Sequence, residues 1–101
     1  MDDAAAREEI RVILEQGLAT EVYPRADTPE EVQAITARLQ AAAELKAKLA
    51  IAGFTLKTIE YEGIEQPCET CMYYLVHRRY CELPGLQVPV EPAWSCRLWR
   101  I

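Results

Sequence analysis

The chain has 101 residues, of which half are hydrophobic and 27% are charged, with a formal net charge of −5. These values indicate a single soluble globular domain. The acidic balance argues against nucleic-acid binding, because neutralising phosphates requires a clustered positive surface. No stretch approaches the roughly 20 apolar residues that span a bilayer, and the acidic start of the chain does not resemble a signal peptide. The sequence therefore predicts a cytoplasmic protein with no membrane contact.

The first predicted element is a helix over residues 3–16. Apolar side chains recur on one face of it at the period of an α-helix: Ala6, Ile10, Ile13 and Leu14. Asp2 or Asp3 can cap its first amides, and Gly17 suits a left-handed stop. We expect this helix to bury its apolar face in the core.

A second, longer helix is predicted over residues 29–52. Its start combines an N-cap Thr28, a proline at position 29 and Glu31, the pattern of a capping box. Its end is predicted at Gly53. At about 1.5 Å per residue the helix would be about 36 Å long. We expect it to form an antiparallel hairpin with the first helix, and its remaining apolar surface could form a homodimer.

The rest of the chain is predicted to contain little regular structure. Residues 54–61 are rich in β-branched and aromatic side chains and predict one short strand. Prolines and cysteines then dominate, with a helical turn expected around residues 71–79. The predicted fold class is therefore α+β, in one domain of residues 1–101. It comprises an N-terminal helical hairpin with a strand (residues 1–62) and a loop-rich four-cysteine module (residues 63–101).

All four cysteines lie in that module, with the spacing C-x2-C-x9-C-x14-C: Cys68, Cys71, Cys81 and Cys96. In a reducing cytoplasm they favour metal binding over two disulfides. Four thiolates suit either a tetrahedral zinc ion or a 4Fe–4S cluster. Zinc modules usually bring their ligands as two short pairs, and only the first two cysteines form such a pair. The sequence therefore favours the cluster and leaves zinc as the alternative.

The segments around these cysteines are CETCMYY from Cys68, CELPG from Cys81 and WSCRLW from Trp94. Together they resemble the high-potential iron–sulfur protein (HiPIP) family over about a third of the chain. The resemblance implies that the four cysteines each bind one iron of a single 4Fe–4S cluster. It also implies that Tyr73, Trp94 and Trp99 shield this cluster from water.

The predicted function is one-electron transfer, by an accessory or partner of a larger oxidoreductase. With four cysteines as ligands no iron remains open to a substrate, and no catalytic motif is present, so an enzyme is not predicted. One alternative is a zinc-stabilised module that binds a partner protein through the long helix. Another is a thiol-redox or metal-sensing protein that uses the Cys68–Cys71 pair reversibly.

The basic side chains of the module have two interpretations. They are solvated groups, or they either offset the negative charge of a cluster and raise its potential or form a docking patch for an acidic redox partner. These side chains are Arg78, Arg79, Arg97 and Arg100. His77 is the only histidine, and we expect it to be exposed beside two of these arginines rather than to complete a mixed Cys/His site.

Overall fold

The computed structural model describes residues 2–101 and contains three α-helices, one 3-10 helix and five short strands. The helices are α1 (Asp3–Glu15), α2 (Pro29–Ala41), α3 (Leu45–Ala52) and the 3-10 helix η1 (Cys68–Thr70), and the strands are β1 (Glu60–Tyr61), β2 (Ile64–Glu65), β3 (Tyr74–Leu75), β4 (Tyr80–Cys81) and β5 (Val88–Pro89). β1 pairs with β2, and β3, β4 and β5 form an antiparallel sheet in chain order. This combination confirms the α+β class. Within residues 2–101 no helix has the length and apolar character needed to cross a bilayer.

Helix α1 begins where the sequence predicts. The Asp2 carboxylate accepts a hydrogen bond of 2.9 Å from the Ala4 amide, as an N-cap does. The buried face carries Ile10 and also Arg7. This face packs mainly on β5. The predicted hairpin between α1 and a long second helix is therefore wrong, because the sheet covers the face that such a hairpin would have used.

The predicted helix over residues 29–52 is two helices. Its start is as predicted, since Thr28 Oγ1 accepts from the Glu31 amide at 3.2 Å and the Glu31 carboxylate accepts from the Thr28 amide at 3.0 Å. The helix stops at Ala41 because the backbone of Ala42 is extended, with ψ 129°. α3 then begins at Leu45 and packs on α2.

Burial explains this break better than local sequence does. The turn lets Leu39 of α2 and Leu49 of α3 both reach 0% exposure in the core. Lys48 Nζ donates to the Leu39 carbonyl at 2.8 Å and to the Gly85 carbonyl at 2.5 Å, which gives the last turn of α2 a partner. A straight helix of about 36 Å would exceed the largest dimension of the molecule, 33 Å. The homodimer predicted from that length therefore loses its structural basis.

The strand predicted over residues 54–61 is mostly irregular and is regular only at its end, in β1. Thr55 forms a single bridge with Ser95, in which each amide donates to the other's carbonyl at 2.8 and 3.1 Å. The Thr55 hydroxyl donates to the Lys57 carbonyl at 2.7 Å, and such local bonds compete with a strand ladder. The segment therefore holds the C-terminal part of the chain instead of forming a sheet.

The helical turn predicted around residues 71–79 is also wrong, because these residues form the β3–β4 hairpin. The pairing places Tyr74 opposite Cys81. Arg79 closes the turn in the left-handed region, with φ 51°, which a right-handed helix does not contain. The hairpin brings the segment after Cys71 alongside the third cysteine.

Arg7 ties α1 to this hairpin and to the strand beside it. Its Nε donates to the Val90 carbonyl at 3.0 Å. Its Nη2 donates to the carbonyls of Arg78 and Arg79 at 3.3 and 3.2 Å. The Arg79 carbonyl also accepts from the Val90 amide at 2.9 Å, so the buried guanidinium adds a second link between the hairpin turn and the segment that follows β5.

We expect Arg7→Ala to lower the free energy of unfolding by about 3 kcal/mol, because hydrogen bonds from a charged donor to buried carbonyls are lost. Arg11→Ala is the matched control on the same helix, since Arg11 pairs only with Glu8 and Glu15 at the surface. The control should show little or no loss. Chemical denaturation followed by circular dichroism measures both changes. Equal losses in the two variants would contradict the role given to Arg7.

Candidate metal centre

The four cysteines line one small cavity of about 10 Å³. They reach it from different parts of the fold: Cys68 begins η1, Cys71 follows it, Cys81 ends β4, and Cys96 lies in the C-terminal segment. None of them forms a disulfide. The cavity wall is almost entirely apolar, so the thiols face an apolar space.

The first two thiols are positioned by the turn η1. The Cys71 amide donates to the Cys68 carbonyl at 3.0 Å, and the Thr70 amide donates to the Pro67 carbonyl at 3.1 Å. The Cys68 amide donates to the Trp94 carbonyl at 2.6 Å, which fixes the turn against the C-terminal segment. Two cysteines separated by two residues therefore present their thiols from one backbone turn.

The fourth thiol is positioned by residues from the first half of the chain. On one side of Cys96, Ser95 is bridged to Thr55 by two backbone hydrogen bonds. On the other side, the Arg97 amide donates to the Ala52 carbonyl at 2.9 Å. The segment that carries Cys96 is therefore held on both sides of the cysteine, and its thiol has a fixed direction.

Three of the thiols are buried, and Cys71 is half-buried. Burial raises the pKa of Cys68 and Cys81 well above the usual thiol range, and it raises the pKa of Cys96 to about 12. The negative charges of the other cysteines raise these pKa values further, because the sulfurs are close enough to repel one another as thiolates. Bound metal reverses this balance, since its positive charge replaces the protons.

Two backbone amides lower the pKa of thiols that burial and the neighbouring cysteines raise. The amides of Leu83 and Leu98 lie two residues after Cys81 and Cys96, and their hydrogen bonds lower the pKa of these thiols. Amide hydrogen bonds to ligand sulfurs are among the factors that tune iron–sulfur centres. The backbone is therefore arranged to stabilise negative charge on two of the four sulfurs.

Aromatic rings complete the wall of the cavity, and they only partly match the predicted set. Trp99 lines the cavity as expected, whereas Tyr73 and Trp94 do not. Trp94 lies one layer further out and packs edge-on against Phe54, with ring centroids 6.5 Å apart. Phe54 and Tyr74 are the two lining rings that sequence reasoning missed.

Each missed ring had a different signal in the sequence. Tyr74 is next to Tyr73, the ring that the sequence predicts. The strand register places Tyr74 opposite Cys81, and the register cannot be read from the local sequence. Phe54 was assigned to a strand, and it lies 14 residues before Cys68. The sequence shows that Phe54 follows the glycine that ends the helix, but no motif near Phe54 relates it to the cysteines.

The predicted charged neighbours lie at different distances from the cavity. His77 is exposed as predicted and does not line the cavity. Arg78 binds Asp3 at 2.8 Å and stacks over Tyr80 at 3.8 Å, so it serves the hairpin surface. Arg79 lies 3.6 Å from a carboxylate oxygen of Glu91. None of these three side chains reaches the cysteines.

Two arginines are buried next to Cys96. Arg97 is one of the predicted set, and its guanidinium donates to the Ile51 carbonyl at 2.9 Å and to Glu21 at 3.3 Å. Arg25 was not predicted, and its Nη2 donates to the Cys96 carbonyl at 2.8 Å. Positive charge therefore lies directly behind the fourth thiol.

The four thiols line one cavity but do not converge on a single metal-ion position. Within residues 2–101 no three His, Cys, Asp or Glu side chains are gathered in a way that could hold a single metal ion. The volume of about 10 Å³ is about what one water molecule requires. The four thiols are the donor set that a thiolate-bound metal or cluster requires, and the cavity would have to change size to hold either one.

Comparison of the chain with models of protein families, with curated proteins and with solved structures found no match. The resemblance to HiPIP proteins therefore depends on the three cysteine segments alone. The function has to be inferred from the chemistry of the cavity.

Proposed function

We propose that this protein binds one 4Fe–4S cluster through Cys68, Cys71, Cys81 and Cys96 and transfers single electrons. It would act as an accessory or partner of a larger oxidoreductase and would deliver or receive electrons through contact with a redox partner protein. The observation that carries the proposal is that all four thiols of the chain line one apolar cavity.

The choice of a cluster over a single zinc ion depends on the cysteine spacing, since only Cys68 and Cys71 form the short pair that zinc modules usually repeat. A zinc ion lies about 2.3 Å from each sulfur, so the four sulfurs would be only about 3.8 Å from one another. Sulfurs at that spacing leave no room for a sphere as large as water. The cavity that the thiols line holds about 10 Å³, so it would have to contract around a zinc ion and to widen around a 4Fe–4S core.

The residues of the chain supply three properties that an electron-transfer centre needs. The rings of Phe54, Tyr74 and Trp99 give the cavity an apolar wall. The amides after Cys81 and Cys96 stabilise negative charge on sulfur. The bound cluster would supply a one-electron couple whose potential depends on burial, charge and these hydrogen bonds.

The half-buried Cys71 marks the side at which electrons would enter and leave. The other three thiols are buried, so this sulfur is the part of the centre nearest to solvent. All four cysteines act as ligands in this proposal, so no iron is open to a substrate and we do not propose an enzyme. A reducing compartment such as the cytoplasm suits four free thiols.

Metal and sulfide content of anaerobically purified protein tests the proposal. We expect about four irons and four sulfides per chain, a brown colour with broad absorption near roughly 400 nm, and an electron paramagnetic resonance signal in one redox state. Incubation with iron and sulfide under reducing conditions should restore the colour to metal-free protein. Colourless protein that carries one zinc per chain would contradict the proposal and support the zinc-stabilised module. A chain that takes up neither metal would contradict both.

A further inference from the structure

Arg25 is a buried cation whose hydrogen bonds all go to neutral groups. Arg25 as a whole residue is only 3% exposed. Its guanidinium donates to the carbonyls of Val22 and Cys96 at 3.3 and 2.8 Å, and to the Gln66 amide oxygen at 3.1 and 2.5 Å. These bonds use four of its five N–H donors, and none of them goes to a carboxylate.

The other buried arginines differ in this respect. Within residues 2–101 three arginines are buried, and Arg7 and Arg97 each have a carboxylate within ion-pair distance, at 3.5 Å from Glu91 and 3.3 Å from Glu21. Among the same residues Arg25 has none within 4 Å, and the Asp27 carboxylate acts on it only from a greater distance. A buried charge without an opposite charge is expensive, so the position of Arg25 calls for an anion nearby.

The cysteine centre is the neighbour that can supply this anion. The Arg25 guanidinium donates to the Cys96 carbonyl at 2.8 Å, so its charge lies beside the fourth thiol of the cavity. Four thiolates carry more negative charge than a 4Fe–4S core neutralises, and the same holds for a single divalent zinc ion. The loaded centre therefore has the charge that Arg25 lacks.

We propose that Arg25 is the counter-ion of the cysteine centre and a positioning residue for Cys96. The inference rests on the proposed function for its electron-transfer part. Through its bond to the Cys96 carbonyl, Arg25 holds the main chain of the fourth ligand. Through its charge, it stabilises the loaded centre, and it stabilises the more negative, reduced form more than the oxidised form. Removing the charge should therefore lower the reduction potential.

Four kinds of variant separate charge from packing. Arg25→Met and Arg25→Gln both remove the charge, and either one serves if the other does not fold. Arg25→Lys keeps the charge but not the planar guanidinium. Gln66→Met removes the main acceptor of Arg25 and leaves its charge in place. Arg38→Gln is the surface control, because it removes a half-exposed arginine that pairs with Glu21 at 2.7 Å. Glu21 keeps Arg97 as a partner at 3.3 Å in this variant.

The first measurement is a potentiometric titration of the iron-loaded protein. We expect each neutral variant at Arg25 to shift the one-electron equilibrium about tenfold toward the oxidised form, which is a fall of about 59 mV. Arg25→Lys should recover most of this shift, and the variants at Gln66 and Arg38 should stay close to the wild type. Potentials that are equal in the neutral variants and the Arg38→Gln control would overturn the counter-ion role.

The second measurement does not depend on a redox couple. It compares the thermal midpoints of metal-free and metal-loaded protein, with either iron and sulfide or zinc as the probe. Loss of the Arg25 charge should reduce the stabilisation given by metal more than Arg38→Gln does, because the centre carries its negative charge only when it is loaded. If the chain binds zinc instead of iron, the electron-transfer proposal fails while this comparison still tests Arg25. Equal stabilisation by metal in both variants would overturn the inference.

Discussion

Replacing Cys96 with alanine is expected to abolish the metal centre. Its thiol is buried at the cavity, and the segment that carries it is held on both sides, so no other group can move into its place. The chain has no fifth cysteine to substitute for it. Partners outside the ligand shell are worth about 10–100-fold in metal affinity, and loss of a ligand itself should cost more. The stability that metal contributes to the fold should be lost as well.

His77→Ala is the matched control for this variant. His77 is the only histidine, is exposed, and does not line the cavity, so its removal should leave iron, sulfide and absorption unchanged. Both proteins are loaded in parallel and their metal content is measured after gel filtration. Full iron content in Cys96→Ala would contradict a four-cysteine centre. Loss of iron in His77→Ala would instead indicate a mixed Cys/His site.

Gly53→Ala is expected to cause the largest loss of stability of any substitution at a glycine. Gly53 ends α3 with φ +68°, and a Cβ there would overlap the Glu21 carbonyl oxygen and lie 2.9 Å from its carbonyl carbon. The backbone of Glu21 cannot withdraw easily, since its amide donates to the Ala50 carbonyl at 2.8 Å. The left-handed conformation costs about 1–2 kcal/mol for an L-residue, and the overlap should bring the total above about 3 kcal/mol.

Gly63→Ala separates these two contributions. Gly63 has a similar φ of +79°, but a Cβ there would meet no atom within 4 Å. It should therefore show only the conformational cost, about 1–2 kcal/mol. Urea denaturation of the metal-free proteins measures both values. Equal losses at the two positions would mean that the backbone around Gly53 moves aside.

The starts of the helices could be predicted from the sequence because their signals are local. A capping residue bonds to amides only two or three positions away, so Asp2 for α1 and the pair of Thr28 and Glu31 for α2 are sufficient to define each start. The class of fold followed from these helices and the proline-rich remainder. Each of these inferences needs only residues that are close together in the chain.

The break between α2 and α3 could not be predicted in this way. Residues 41–44 are Ala-Ala-Ala-Glu, all acceptable in a helix, and they contain no glycine or proline to mark an end. The helix stops because core burial of Leu39 and Leu49 outweighs the small local preference. The bond from Lys48 to Gly85 joins residues 37 positions apart, a distance at which sequence patterns carry no information.

The candidate site was predictable in its ligands but not in its surroundings. The spacing of the four cysteines identifies a metal-binding set without knowledge of the fold. Phe54 and Arg25, in contrast, come from 14 and 43 residues before the first cysteine. Their positions follow from how the N-terminal half packs behind Cys96. The helical turn assigned to residues 71–79 failed for a related reason, because the β3–β4 hairpin depends on pairing with β5.

The wall of the cavity has a consequence for any attempt to cut or graft this protein. A division near residue 62 separates the cysteines from Phe54, which covers them, and from the backbone of Ala52 and Thr55, which holds the last one. A fragment with all four sulfurs would therefore keep the ligands and lose the enclosure. The two halves share one hydrophobic core. A substitution in the helices therefore has to fit the packing of the cysteine segments, and a substitution in those segments has to fit the helices.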